Sequence, residues 1–350
     1  MRVLFLCHRF PFPPRRGGKI RPFNVIRHLS AQGHEVWVAS LARSEREAAE
    51  GKGIREHCAG YFAAPVTAVG AALRMAARLP TPVPSSMGYF HSAALARTVR
   101  EWLATRPPDL IFVHCSSVAQ YVAHVSGIPK VLDFGDMDSH KWLSYTPFQP
   151  WPLSWGYWLE GHKLMHAEKR LARRFDLCTC TTRAELETLE SFGTGARTGW
   201  FPNGVDAEYF RPGAEPYDPD TVCFVGRMDY YPNQQAVVAF CDDVLPAIRA
   251  VRPAAKLTIV GAEPSREIRA LAARPGVEVT GSVADVRPHV RRAALTVAPL
   301  RIARGTQNKI LESMAMAVPV VASTAAAGGV DGVPGRHLLV ADTPADTARR

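Results

Sequence analysis

Residues 304–322 read RGTQNKILESMAMAVPVVA, and no other stretch of the chain says as much. A polar loop containing Gly305 runs into a short helical pattern that carries Asn308, Lys309 and Glu312, and a small-residue turn and an apolar strand follow at 318–322. In a sheet-based fold, such a loop and helix N-terminus offer backbone N–H groups and a positive dipole end to phosphate. Lys309 adds charge. Glu312, one turn on, is placed to accept hydrogen bonds from sugar hydroxyls. The segment reads as a nucleotide-sugar pocket.

Working outward, the pattern is one of alternating strands and helices. Residues 1–7 (MRVLFLC) form a buried-type strand, a Pro/Gly loop follows at 8–19, and the spacing predicts a helix over 20–32 with Ile20, Phe23, Val25, Ile26 and Leu29 inward. Gly33 caps it and residues 35–41 (EVWVASL) give the next strand, so this is a βαβ unit with a parallel sheet and a right-handed crossover. Further strands are predicted at 110–114, 130–134 and 177–181. A Gly/Pro/Asn-rich connector at 198–219 then opens a second series, with strands at 222–226, 256–260, 277–280, 295–299 and 318–322 and a helix over 234–250. The expected fold is α/β, two tandem Rossmann-like doubly wound domains at 1–197 and 198–350 facing a cleft. A helix is expected after 342–344, with terminal helices missing or very short.

Composition narrows the classes. Of 350 residues, 47% are apolar and 21% charged, ordinary for a globular protein, but the formal charge is +10. Basic residues cluster at Arg9, Arg15, Arg16, Lys19, Arg21 and Arg27 and again at 169–174. No helix-turn-helix, zinc-finger or RNA-binding signature accompanies them, so nucleic acid is not expected as a partner. Solvated faces, anionic phospholipid and a pyrophosphate-bearing ligand remain as readings. Seven scattered cysteines without metal-ligand spacing suggest reduced thiols in a cytoplasmic protein, with Cys178 and Cys180 in the core. The N-terminal apolar run is too short for a signal peptide, and no stretch approaches a membrane span.

Four segments, FPNGVD (201–206), FVGRM (224–228), LTIVG (257–261) and LESMAMAVPVVAS (311–323), occur in an order that resembles the GT-B glycosyltransferases of retaining family 4. DFGDMDSHKW (133–142), MDYYPN (228–233) and GTQNK (305–309) resemble the branch associated with the PEP-CTERM/exosortase (XrtA) system and exopolysaccharide clusters. The resemblance implies that the second domain binds a nucleoside-diphosphate sugar and the first an acceptor, a glycan or a polyprenyl-pyrophosphate-linked glycan. Arg227 matches a pyrophosphate-binding Arg and Glu312 the carboxylate that holds the ribose. Two positions depart from the family pattern: Arg304 replaces a Glu, and Pro232 a Lys. Lys309, with Arg304, is expected to restore the lost charge.

In the first domain, Gly17 and Gly18 resemble the family's Gly-Gly loop, and Lys19 extends that acceptor and phosphate loop. It is not a GxGxxG fingerprint, so no nicotinamide cofactor is indicated. Asp133, Asp136 and Asp138 follow a strand that should end at the cleft, and Asp136, then Asp138, is the candidate acceptor base, ahead of His114 and His140; helix capping is the competing role. Asp136 and Asp138 imitate a DxD metal motif, but basic groups replace metal in this fold, and neither metal nor cofactor is expected. The aromatic, Pro-broken stretch 148–158 (FQPWPLSWGYW) reads by default as interior packing; the alternatives are an acceptor lid or a peripheral contact with anionic membrane. A nucleotide-sugar epimerase and an inactive scaffold on the same fold are the rival functions.

Overall fold

Strands that are apolar at nearly every position must be covered on both faces, which requires helices above and below a parallel sheet. The computed structural model has this arrangement twice, and it describes residues 1–14 and 17–350. Arg15 and Arg16 of the N-terminal basic cluster lie outside the described residues. The chain divides into two compact units, Met1–Phe201 and Pro202–Arg350.

The first unit holds seven parallel strands: β1 (Arg2–Cys7), β2 (Glu35–Ala42), β3 (Gly60–Pro65), β4 (Leu110–His114), β5 (Lys130–Gly135), β6 (Leu177–Cys180) and β7 (Thr198–Trp200). Their order is β3-β2-β1-β4-β5-β6-β7. Alternation along β1 fills both layers. Leu4 and Leu6 pack with Ile111, Val113 and Leu132, whereas Phe5 and Cys7 pack with Ile26, Val36 and Val38. The helix expected over 20–32 runs Gly17–Ala31, and its buried residues include Phe23 and Ile26 but also Lys19 and Arg21. The unit ends four residues beyond the expected boundary, because Thr198–Trp200 pairs with β6 as the seventh strand. Cys178 and Cys180 are buried free thiols.

The second unit holds six parallel strands: β8 (Asp218–Val225), β9 (Lys256–Val260), β10 (Val277–Gly281), β11 (Ala293–Ala298), β12 (Val320–Ala322) and β13 (Leu339–Val340), in the order β10-β9-β8-β11-β12-β13. Val222 and Phe224 pack with Leu257, Ile259, Val297 and Ile310 on one face, and Cys223 with Val260 and Val290 on the other. The helix expected over 234–250 is interrupted. It runs Tyr231–Ala239, widens into a π turn at Phe240–Val244 and resumes at Leu245–Val251. Pro246 in the first turn of that last piece has no N–H for a bond four residues back, which accounts for the widening. Among the described residues, no helix is long and apolar enough to cross a membrane.

Candidate active site

In an open parallel sheet, ligands bind beyond the carboxyl ends of the strands, where the strand order reverses. In the second unit that point lies between β8 and β11. The chain leaving β11 forms the loop that opens the helix Asn308–Ala315. Gly305 has φ 64°, a left-handed conformation that suits glycine, and a Cβ on Gly329 would fall 2.0 Å from the Gly305 carbonyl oxygen. The two backbones therefore touch and fix the loop.

The N-terminus of this helix has no side-chain cap, since Gln307 makes none, and the Ile310 N–H turns back, 2.9 Å to the Gln307 carbonyl. Thr306 Oγ1 and Asn308 Oδ1 are buried without a hydrogen-bond partner. Buried polar atoms without partners are uncommon, and here they gather at a helix N-terminus that has no side-chain cap. The arrangement suits a ligand rich in acceptors and hydroxyls.

Lys309 reaches from this helix toward β8. Its ammonium donates to Asn233 Oδ1 at 2.7 Å and lies 4.3 Å from the centre of the Phe224 ring. Asn233 Nδ2 in turn donates to the Arg227 carbonyl at 2.8 Å. A Cβ on Gly226 would stand 3.1 Å from Lys309 Nζ, so glycine permits the approach. Burial pulls the ammonium down to about 7, with Glu312 opposing. Burial also pushes the Glu312 carboxyl up, with Lys309 opposing. Pro232 is buried in the first turn of Tyr231–Ala239, and its neighbour Asn233 is the residue that takes Lys309. Of Arg304, the carbonyl accepts from Gln307 Nε2 at 3.3 Å.

Arg227 follows β8, as expected, but its charge is balanced. Nε and Nη2 donate to the two Asp229 oxygens at 3.0 and 2.6 Å, and Nη2 also donates to Glu263 at 2.5 Å. Any anion that binds Arg227 competes with these two carboxylates.

In the first unit, the strand register brings Ser40, Cys7, His114, Asp133 and Thr179 side by side across five strands. Asp133 is fully buried and accepts four bonds: from Arg21 Nε at 2.8 Å and Nη2 at 3.0 Å, from His114 Nδ1 at 2.8 Å and from Thr179 at 3.0 Å. Burial opposes the charge, but the His114 and Arg21 bonds win and hold the carboxyl well below its usual range. Arg21 also donates to the Phe201 carbonyl at 3.0 Å and lies 3.7 Å from the centre of that ring. Asp133 is thus a structural anion, and His114 gives its Nδ1 proton to it.

Asp136 accepts from Thr181 Oγ1 at 2.9 Å. Asp138 opens the helix Asp138–Tyr145 with Cys115 Sγ 3.7 Å away, and burial, aided by Asp136 and opposed by Lys141, pushes its carboxyl up. Two carboxylates that the sequence reading missed hold this turn. Glu185 accepts the Met137 N–H at 2.7 Å, and Glu168 accepts both the N–H and the hydroxyl of Ser139. Burial pushes Glu168 up to about 8. Both lie on amphipathic helices where glutamate passes for a surface residue, so no local signal marked them. His140 Nδ1 lies 3.2 Å from Ser139 Oγ.

Gly17 and Gly18 are exposed at the start of Gly17–Ala31. Lys19 is not part of a projecting loop: it is buried and paired with Glu47 at 2.5 Å.

A profile of Glycosyltransferase Family 4 matches residues 16–209, and one of Glycosyl transferases group 1 matches residues 219–350. No curated protein matches the chain. Among solved structures, sucrose-phosphate synthase (tll1590) from Thermosynechococcus elongatus is similar at TM-score 0.71 and 15% identity, covering 100% of this chain and 88% of that one. Anabaena Alr3699/HepE in complex with UDP-glucose aligns at TM-score 0.63 and 16% identity, with 100% and 88% covered. A UDP-forming α,α-trehalose-phosphate synthase from Burkholderia xenovorans gives TM-score 0.64 and 13% identity, with 99% and 89% covered. Two GT-B-type α/β units and a family profile spanning more than half of its residues make this chain a member of glycosyltransferase family 4.

Proposed function

We propose that this glycosyltransferase moves a sugar from a nucleoside-diphosphate donor to a hydroxyl of a glycan, with retention at the anomeric carbon. The observation that carries the reading is the group formed by Lys309, Asn233 and the uncapped Gly305–Asn308 turn, with Glu312 one turn on. The turn's N–H groups and Lys309 suit a pyrophosphate, and the Glu312 carboxylate suits two adjacent ribose hydroxyls. Lys309 bonds Asn233, the residue after position 232, where the family pattern has its missing Lys, which supports its role as replacement cation. Alr3699/HepE was solved with UDP-glucose, which favours a UDP-sugar as donor class here.

In the transfer, the bond from the anomeric carbon to the leaving phosphate oxygen breaks and a bond to the acceptor oxygen forms. The charge that grows on the pyrophosphate is stabilised by Lys309 and the loop N–H groups, and by Arg227 once it leaves Asp229 and Glu263. The acceptor proton goes to a carboxylate, with Asp136 and Asp138 as the candidates; burial pushes the Asp138 carboxyl up, which favours its taking a proton. On this reading Lys309, the loop N–H groups and Arg227, rather than a metal, meet the pyrophosphate charge. The motifs at 133–142 and 305–309 support the exosortase-associated, exopolysaccharide branch, with a polyprenyl-pyrophosphate-linked glycan as acceptor at the inner face of the cytoplasmic membrane.

Saturation-transfer NMR with UDP-, GDP- and dTDP-sugars tests the donor site. One donor is expected to bind, with the signal lost in Glu312→Ala. No binding by any of them, or binding unchanged in the variant, would refute the assignment.

A further inference from the structure

The aromatic stretch expected in the interior is on the surface. Trp151 is 83% exposed, Trp155 60% and Trp158 47%. The last two open the outward stripe of the helix Leu153–Ala172, which continues through His162, His166 and Arg170 at helical spacing and on to Arg173 beyond the helix end. At 1.5 Å per residue the stripe is about 27 Å long.

No carboxylate interrupts it. The helix carries two, and both are buried: Glu160 accepts from the Ser85 and Ser86 N–H groups at 2.9 and 2.8 Å, and Glu168 holds Ser139. Lys163 is bonded to the Arg78 and Leu79 carbonyls at 3.1 and 2.7 Å, which fastens the helix to the segment around residue 79. That segment also exposes apolar residues, Val69, Leu73 and Leu79. Residues 66–100 contain no Asp or Glu at all, and 139–175 contain only Glu160 and Glu168. Together these two stretches carry ten Lys and Arg, so they account for most of the chain's formal +10.

We propose that this face of the first unit docks on an anionic lipid bilayer, with Trp151, Trp155 and Trp158 at the headgroup level and the cationic end of the stripe against the lipid charge. Tryptophan favours that depth, and basic residues near an anionic leaflet add about 1 kcal/mol each. A protein partner of ordinary kind would leave charges of both signs at the rim, and here one sign is missing over two stretches. The inference extends the proposed lipid-linked acceptor, but it rests on this surface alone.

The test uses the full chain and vesicles of phosphatidylcholine with rising fractions of phosphatidylglycerol, followed by co-sedimentation and by quenching of tryptophan with bromine-labelled lipid chains. Binding should require phosphatidylglycerol and quench emission. Trp151→Ser, Trp155→Ser and Trp158→Ser together should weaken partition at least about tenfold and remove most of the quenching, and Arg170→Gln with Arg173→Gln should weaken partition about thirtyfold. Circular dichroism and sugar-nucleotide binding without vesicles verify that the variants fold, and they let the donor assignment fail or hold separately. No partition into anionic vesicles would overturn the proposal. So would partition without quenching that heparin or RNA matches.

Discussion

Lys309 makes donor binding pH-dependent in a calculable way. Its ammonium is buried against Phe224 with one hydrogen bond, and its value of about 7 leaves it half neutral at physiological pH. A bound pyrophosphate diester is fully ionised near neutrality and favours the charged lysine, so binding takes up a proton above pH 7. With a free-state value near 7, about ten-elevenths of the protein is charged at pH 6 and about one-eleventh at pH 8. Donor affinity is therefore full below pH 7 and falls as pH rises, by about tenfold (about 1.4 kcal/mol) from pH 6 to 8. Without donor the sign is opposite for stability. Between about 7 and the ordinary 10.5, the unfolded chain holds a proton that the folded one has lost, so stability rises with pH. Calorimetry of sugar-nucleotide binding in buffers of different ionisation heat measures both affinity and proton uptake. Lys309→Met should bind weakly with a flat pH profile. A wild-type affinity that stays constant from pH 6 to 8, with no proton uptake, would refute the reasoning.

Three further outcomes are expected. Removing the carboxylates that balance Arg227, by Asp229→Asn with Glu263→Gln, should strengthen donor binding up to about fivefold, the range of part-exposed ion pairs; unchanged affinity there and in Arg227→Ala would reduce Arg227 to a surface salt bridge. Asp133→Asn takes the Asp133 charge away from buried Arg21 and should cost about 3–5 kcal/mol in denaturant unfolding at neutral pH. Because the folded Asp133 carboxyl is held low, that contribution is present above its ordinary 3.8 and disappears as pH falls through the folded value; a cost under about 1 kcal/mol at neutral pH would contradict the network. Glu168 has the reverse sign: between 4.5 and about 8 the folded state keeps a proton the unfolded state has lost, so stability falls as pH rises. Thermal melts should show Glu168→Gln gaining on wild type toward pH 8 by on the order of a few kcal/mol, and parallel melting curves would count against it.

What could be read from the sequence divides along a physical line. Interior strands such as Leu110–His114 and Lys256–Val260 are apolar runs between turn signals, and their ends fell where expected. The edge strands Thr198–Trp200 and Leu339–Val340 are only three and two residues long, and Gly60–Pro65 is bounded by a glycine and a proline that read as turn signals. The donor candidates were legible because Gly305, Asn308, Lys309 and Glu312 lie within eight residues, where helix geometry alone brings them together. Arg21 and Asp133 are 112 residues apart, and only strand order and register make them partners. Hence Lys19 and Arg21, read as part of one basic cluster on a solvated or anion-binding face, proved to be buried halves of specific pairs with Glu47 and Asp133. The aromatic stretch failed in the opposite direction. Hydrophobicity predicts burial only where something is available to cover it, and among the described residues Trp155 and Trp158 on the outer side of Leu153–Ala172 stay exposed. Charges hidden and tryptophans exposed are both departures from what composition favours. The hidden charges fix the sheet and the turn that carry Asp136 and Asp138. The exposed tryptophans contribute nothing comparable to the fold, which is why they point to a surface outside the molecule.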